Sequence, residues 1–202
     1  MVWDKLADDA TLKTTMNALN ANGFSTIVVE NGEEARKKAL ELMPKGAEVF
    51  TVSSTTVNTI GLAKDINESG RYDSVRNKLG DMDRSTQRKE MAKLGTVPDW
   101  VVGSVHAITE DGKAVIASAS GSQLAAYVYG AQHVLWIAGT HKIVKNLERG
   151  LKRIYEYTLP LENERAKKVY GAPSFVSKLL IINRESVSNR ITIILVKEAL
   201  GF

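Results

Sequence analysis

The chain has 202 residues, of which 44% are hydrophobic, 25% charged and 6% aromatic, and it contains no Cys. This composition is typical of a globular domain, and the length is sufficient for one sizeable core. The absence of Cys excludes disulfides, thiol catalysis, iron–sulfur ligation and thiolate zinc sites. The first nine residues carry three Asp and no apolar signal-peptide core, and no apolar run reaches membrane-helix length. We therefore expect a single domain over residues 1–202, located in the cytoplasm.

The excess positive charge is concentrated in one segment. The net charge is +4, and residues 71–93 alone carry seven basic residues against four acidic ones. Nucleic-acid-binding segments usually combine basic residues with aromatic ones, and Tyr72 is the only aromatic residue among these cations. No recognition motif accompanies them either, so we expect no nucleic-acid partner. The sequence predicts a basic helical insertion at about residues 71–95, which forms a solvated surface or a lid.

Helices and strands alternate along the first fifty residues. Apolar residues at helical spacing predict a first helix that ends at Gly23, and FSTIVVE follows as a strand. Asn31 and Glu34 form a capping-box-like start for a second helix that ends before Pro44, and AEVFTVS is the next strand. This alternation predicts an α/β fold.

The second half adds a hairpin and a long helix. WVVGSVHAIT and KAVIASAS flank a short turn at residues 110–112, so we expect a mostly parallel but mixed sheet. After the helix SQLAAYVYG and the strand HVLWIAG, apolar spacing predicts one helix from about residue 141 to 157. A further helix beginning at Pro160 and the strands KLLIINRE and RITIILVKE complete the predicted α/β pattern. The basic face of the helix over 141–157 is expected to be solvated and consists of Lys142, Lys145, Arg149, Lys152 and Arg153.

Three strand-to-helix junctions are rich in small hydroxyl residues and glycine. Helix starts attract anions, and junctions after parallel strands share the carboxyl edge of a sheet, where ligands bind. N-capping and tight turns explain the same residue types, and no junction matches a phosphate loop or GxGxxG. With a positive charge from Lys142, the sequence predicts a site for a small anionic metabolite. The candidate ligand-binding residues are Ser53, Ser54, Thr55, Thr56, Gly103, His106, Ser120, Gly121, Ser122, Gln123, Gly139, His141 and Lys142.

The titratable residues do not define a reaction. The chain has three histidines, and no two of them have a metal-ligand spacing, so we expect no metal. His133 is expected to begin a buried strand. His106 and His141 are expected either to contact a ligand or to have a structural role. No Ser-His-Asp order and no flavin or nicotinamide motif occurs, so we expect no cofactor. Catalytic residues are therefore not assigned, and whether the chain is an enzyme stays open.

Six long runs of the sequence carry a family resemblance. They are SSTTVNTIGL (53–62), HAITEDG (106–112), ASGSQLAAYVYGAQHV (119–134), AGTHKIV (138–144), LPLENERAKKVYG (159–171) and RITIILVKEALGF (190–202). Together these runs resemble the LUD family, the lactate-utilization domain found in lactate utilization protein C and in many stand-alone proteins. The resemblance implies a three-layer α/β/α fold similar to the ribose-5-phosphate isomerase, glucosamine-6-phosphate deaminase and CoA-transferase group.

The chain also departs from the family pattern. Many members carry Asn where this chain has His106 and His141, and a run like Asp-Gly-Thr-Gly-Asn-Arg where it has residues 118–123. An acidic residue that is common near Thr59 is also missing. These departures remove charges that could bind or activate a ligand, so the function of those relatives does not transfer directly.

The resemblance implies a role in the utilization of lactate or a related organic acid. Iron–sulfur redox partner proteins would carry the electrons, because no cofactor motif is visible in this chain. A self-contained enzyme acting on a phosphorylated sugar, a CoA ester or a folate is an alternative by fold analogy. A non-catalytic ligand-binding or regulatory module, closed by the basic segment, is another. The apolar terminal strands and three Trp suit a homodimer interface as readily as a core.

Overall fold

The computed structural model describes residues 3–202, which form two sheets and their flanking helices. The strands are β1 (Ser25–Val29), β2 (Glu48–Thr51), β3 (Asp73–Ser74), β4 (Trp100–Gly103), β5 (Ala107–Thr109), β6 (Ala114–Ser118), β7 (His133–Gly139), β8 (Ile143–Val144), β9 (Lys178–Ile182) and β10 (Ile191–Val196). The main sheet is entirely parallel, in the order β1-β10-β7-β4-β2-β3. Its central strands β7 and β10 are almost continuously apolar because both of their faces are covered.

The helices connect these strands and cover the main sheet. They are α1 (Asp9–Ala21), α2 (Gly32–Leu42), α3 (Thr55–Thr59), α4 (Leu62–Glu68), α5 (Val75–Gly80), α6 (Arg88–Thr96), α7 (Leu147–Arg153) and α8 (Leu159–Tyr170). Shorter helical turns are the π turns Ala126–Gly130 and Ile154–Thr158 and the 3₁₀ turn Thr140–Lys142. The expected capping-box-like start of α2 is confirmed, because Asn31 Oδ1 accepts from the Glu34 N–H at 2.9 Å. The reciprocal bond is displaced by one residue, since Glu34 Oε2 accepts from the N–H of Glu30 at 3.0 Å rather than from that of Asn31.

Alternate residues of the main strands pack into two different cores. In β10, Ile193 and Leu195 join one core with Trp136, whereas Ile194 and Val196 join the other. Helices α2, α3 and α4 cover the second core, and α1 covers the first. The expected α/β fold, with helices flanking a mostly parallel sheet, is confirmed.

The antiparallel pairs lie in a second sheet rather than within the first. This small sheet has the order β8-β5-β6-β9, with β5–β6 and β6–β9 antiparallel and β5–β8 parallel. The strand that the sequence predicts over WVVGSVHAIT is broken after Gly103, where the Ser104 Oγ donates to the Ile137 carbonyl at 2.6 Å. One face of β6 packs on the main sheet through Ile116, while Val115 packs toward α7. The small sheet therefore forms part of the outer layer on the first core.

The predicted helix over residues 141–157 is wrong at its start. Ile143 pairs with Ile108 as part of β8, and Asn146 then caps α7 by accepting from the Arg149 N–H at 3.0 Å. Long-range strand pairing thus overrides a helical apolar pattern. The predicted break before Pro160 is also wrong, because α7 continues through the π turn into α8. The wider turn just before Pro160 relieves the clash between the proline ring and the preceding carbonyls.

The basic segment of residues 71–95 is built into the fold at its start. It supplies β3 at the edge of the main sheet, and Tyr72 and Val75 are buried beside that strand. Across residues 3–202, no helix combines the length and the apolar character that crossing a membrane requires.

Candidate functional site

Two of the predicted junctions lie at the carboxyl edge of the main sheet. Strands β2, β4 and β7 are parallel, so the residues that follow them emerge at the same edge. These residues are 53–56 after β2, 104–106 after β4 and 140–142 after β7. The third junction, residues 120–123, follows β6 of the small sheet.

Lys142 is buried at this edge and is held by two hydroxyl groups. The 3₁₀ turn after β7 directs the side chain inward, and only 1% of the residue is exposed. Its Nζ donates to Thr56 Oγ1 and to Ser104 Oγ, both at 3.0 Å. These oxygens are free to accept, because the two hydroxyls donate their own protons to the carbonyls of Leu200 and Ile137. Burial and the positive charge of Arg153 lower the pKa of Lys142 to about 7.

Arg153 is completely buried at the end of α7. Its Nη1 donates to the His106 carbonyl at 2.7 Å and to Thr158 Oγ1 at 3.2 Å, and its guanidinium lies over the Tyr157 ring. The Nε and Nη2 atoms are buried, and no hydrogen-bond partner for either occurs in residues 3–202. Burial lowers the pKa of Arg153 to about 10, so the group stays charged at neutral pH. The adjoining π turn positions Thr158, and such turns are frequent at functional sites.

Two neutral histidines complete the arrangement. His106 Nδ1 accepts from the Ala117 N–H at 3.1 Å, which assigns the proton of the neutral ring to Nε2. Burial, followed by the charges of Lys142 and Arg153, lowers the pKa of His106 to about 3. Burial and the same two charges lower the pKa of His141 to about 3. Both ring nitrogens of His141 are buried, and neither makes a hydrogen bond of normal geometry within residues 3–202, although the nearby Gly201 backbone opposes the lowering of the His141 pKa.

We call Lys142, Arg153, His106 and His141 the buried basic cluster; Lys142, Arg153 and His141 are buried, and His106 is half-buried at its edge. Within residues 3–202, neither Lys142 nor Arg153 forms an ion pair with a carboxylate. Nine buried side-chain N and O atoms of the described residues lack a partner, and five of them belong to Thr140, His141 and Arg153. Buried charges are normally paired, because leaving water without a partner is strongly unfavourable. The cluster is therefore a concentration of buried positive charge that the described residues do not neutralise.

An open groove of about 300 Å³ lies beside His141, the one member of the cluster that lines it. Three further cationic residues line the same groove. The groove is lined by Trp3, Lys5, His141, Ile143, Val144, Lys145 and Arg149. A second depression, of about 340 Å³, lies on α3 and α4 and shares no residue with the cluster. In the described chain, no three His, Asp or Glu side chains gather as metal ligands.

The structure brings five of the predicted ligand-binding residues together. His106, His141 and Lys142 belong to the cluster, and Thr56 holds the Lys142 amine. Gly139 makes room for the His141 ring, because a Cβ at Gly139 would lie 2.6 Å from His141 Nδ1.

The remaining residues of the first junction lie outside the cluster. Ser54 Oγ accepts from the Val57 N–H at 3.3 Å and caps α3, whose first residue is Thr55. Ser53 is exposed and accepts from Arg76 Nη2 at 3.2 Å. For Ser54, the hydrogen bond supports the capping function that the sequence also allows.

Gly103 and the junction after β6 have local roles in this structure. A Cβ at Gly103 would lie 1.9 Å from the Tyr127 hydroxyl, so this glycine allows Tyr127 to pack against β4. The junction residues bond within their own loop and to the neighbouring Ser118, and they are Ser120, Gly121, Ser122 and Gln123.

Sequence reasoning missed Ser104 and Arg153. The prediction that the basic face of the helix over 141–157 is solvated is wrong for Lys142 and Arg153, which are buried. Lys145 and Lys152 of the same face are exposed. The sequence feature that could have indicated the burial of Arg153 is Gly150, one helical turn earlier. A glycine inside an amphipathic helix indicates close packing, and Gly150 indeed lies against Ala107.

Comparisons with known proteins identify the family and one solved structure with a similar fold. The LUD domain family model matches residues 12–201. A DUF162 family protein from Deinococcus radiodurans aligns with a TM-score of 0.57 at 12% identity, over 95% of this chain and 99% of that chain. Ribose 5-phosphate isomerase from Plasmodium falciparum aligns with a TM-score of 0.36 at 14% identity, over 64% and 66% of the two chains. Among curated proteins, none matches this chain in sequence. The chain belongs to the LUD domain family.

Proposed function

We propose that this LUD-domain chain binds a small anionic metabolite, a carboxylate or a phosphate, at the buried basic cluster. The observation that carries the proposal is that Lys142 and Arg153 are both buried with no carboxylate partner among the described residues. An anion between them would supply the missing countercharge. It would also accept hydrogen bonds from groups that otherwise lie buried and unpaired.

The unpaired nitrogens of Arg153 have the geometry that carboxylates prefer. Arg36 and Arg165 use the same two atoms, Nε and Nη2, to hold the carboxylates of Asp65 and Glu162 in a bidentate manner. In Arg153 this pair of N–H donors is buried and unoccupied by any described residue. A two-oxygen anion therefore fits the side of the guanidinium that the fold leaves unsatisfied.

The proposed role is in the utilization of lactate or a related organic acid. Family membership supports this role, and the anionic character expected of the ligand agrees with a hydroxy or oxo acid. In the proposal, iron–sulfur redox partner proteins carry out the electron transfer, because the chain has no Cys to hold such a cluster itself. A cytoplasmic location and a homodimer are the corresponding expectations for the cell and the assembly.

A thermal-shift screen in a buffer free of carboxylate and phosphate tests anion binding. Ligands are lactate, pyruvate, other hydroxy and oxo acids, sugar phosphates, CoA esters and folates. A ligand at about 100 times its Kd stabilises the native state by about 2.7 kcal/mol, which raises the Tm by roughly 5–10 °C at this chain length. The shift should disappear in Arg153→Met and persist in Lys152→Met, an exposed cation next to it on α7.

The outcomes of the screen discriminate between the functions. A shift that survives Arg153→Met would place the ligand elsewhere and contradict the proposal, as would the absence of a shift with every anion. Stabilisation by sugar phosphates, CoA esters or folates, but not by organic acids, would favour the self-contained enzyme over organic-acid utilization.

A further inference from the structure

We propose that Lys142 is a nucleophilic amine that forms an imine with a small 2-oxo acid, whose carboxylate is held by Arg153. This inference rests on the proposed anion site and specifies the chemical class of its ligand. It assigns a covalent step to a lysine that anion binding alone would use only as a charge.

The hydrogen bonds of Lys142 leave a lone pair available when the amine is neutral. A neutral amine has two N–H donors and one lone pair. Thr56 Oγ1 and Ser104 Oγ each accept one N–H at 3.0 Å, and both oxygens must accept because their own protons go to backbone carbonyls. Cε and the two hydrogens occupy three tetrahedral positions of Nζ, and the lone pair occupies the fourth. The bonds to the two hydroxyls fix the direction of that lone pair.

The surroundings of Lys142 favour that neutral form. The side chain is 1% exposed, no carboxylate in residues 3–202 pairs with it, and the cationic Arg153 acts on it electrostatically. These conditions bring the pKa of Lys142 to about 7, so a large fraction of the amine is unprotonated at neutral pH. A lysine next to another buried cation is one of the recognised ways to activate an amine for attack on a carbonyl.

A 2-oxo acid matches the two groups together. Its carboxylate suits the Nε and Nη2 pair of Arg153, and its carbonyl carbon, directly bonded to the carboxylate, is the electrophile that the Lys142 amine requires. His106 keeps a proton on Nε2 and is neutral, so it can donate to an oxygen without adding charge. A hydroxy acid would use the same Arg153 contacts but offers no carbonyl to the amine.

The covalent step balances without a further reactant. The Lys142 lone pair forms a C–N bond to the carbonyl carbon, and the C=O π electrons move to oxygen. The two amine protons, which point at Thr56 and Ser104, leave with that oxygen as water, and a C=N double bond remains. In this proposal, ligand and water exchange with solvent by way of the groove that His141 lines.

Borohydride trapping with pyruvate as the probe tests this step. The intact protein is incubated with pyruvate and borohydride, and its mass should increase by one reduced adduct that peptide mapping places on Lys142. Lys142→Arg keeps a cation but should lose at least 90% of the adduct, whereas Lys152→Arg, an exposed lysine on α7, should retain it. The trapping rate should rise about tenfold from pH 6 to pH 8, as an amine with a pKa near 7 loses its proton.

Lactate separates the covalent step from binding. It should compete with pyruvate and lower trapping, yet form no adduct itself. If pyruvate raises the Tm but no adduct maps to Lys142, the imine is refuted and the anion site stands. An adduct spread over surface lysines, and unchanged in Lys142→Arg, also refutes it. If neither pyruvate nor any other anion stabilises the protein and none is trapped, both proposals fail.

Discussion

Replacement of the buried Lys142 by methionine should stabilise the protein while removing its anion binding. Methionine has a similar length and no charge, so it fills the same space without requiring a counterion. In the unliganded protein, Lys142 lowers the free energy of unfolding, because its side chain is 1% exposed and bonds only to neutral hydroxyls. A residue that is present for ligand binding is expected to have such a cost for stability.

The magnitude follows from the pKa of Lys142. Its value falls from 10.5 to about 7 on folding, and a tenfold change in proton affinity corresponds to about 1.4 kcal/mol. Folding therefore disfavours the charged form by about 5 kcal/mol, of which about 4 kcal/mol remain at pH 7. Loss of the hydrogen bonds to Thr56 and Ser104 offsets about 2 kcal/mol. The Lys142→Met variant should thus gain about 2 kcal/mol, or roughly 4–8 °C in Tm.

Thermal unfolding between pH 6 and 10, without carboxylate or phosphate buffers, provides the assay. Above pH 7 the native chain binds fewer protons at Lys142 than the unfolded chain, so wild-type stability should rise relative to the variant as the pH increases toward 10.5. The gain of Lys142→Met should accordingly shrink at high pH. The exposed Lys152→Met variant should change stability by less than about 1 kcal/mol at every pH. A Lys142→Met Tm below that of wild type at pH 7, with no pH-dependent difference between the two, would refute the reasoning.

Three further predictions address the rest of the fold. Arg190→Met should lower the unfolding free energy by about 3–5 kcal/mol in urea titrations, because it leaves the buried Glu185 carboxylate unpaired; a loss below 1 kcal/mol would contradict this. In ¹⁵N NMR, His106 should keep the Nε2–H tautomer and show no titration from pH 8 to pH 5, since its pKa lies at about 3, and a midpoint near 6.5 would exclude the buried arrangement. Gly103→Ala should lower stability by at least 2 kcal/mol, because the new Cβ would lie 1.9 Å from the Tyr127 hydroxyl, whereas an alanine at the unobstructed Gly80 should be tolerated.

The elements that depend on local patterns could be predicted from the sequence. Strands β1, β2, β7 and β10 correspond to short apolar runs, and α2 begins at the capping residue Asn31 as expected. The elements that depend on long-range pairing could not be predicted from the sequence. Ile143 fits a helical apolar pattern but pairs with Ile108, and residues 104–106 separate two strands that read as one. In both places the partner is distant in the chain, and the local pattern contains no information about it.

Some residues of the candidate site could likewise be predicted from the sequence, and others could not. Lys142, His141 and Thr56 could be proposed because each follows a strand at the carboxyl edge, a position that topology predicts. Arg153 could not, because sequence reasoning places cations on the solvated side of a helix, and that rule holds for the neighbouring Lys152. Arg153 violates the rule while five buried polar atoms at Thr140, His141 and Arg153 remain unpaired. A buried cation whose neighbours also carry unpaired buried polar atoms is difficult to explain by packing, which would favour apolar residues there. The error in the sequence interpretation therefore coincides with the strongest evidence for a binding site, as expected where function requires residues that stability disfavours.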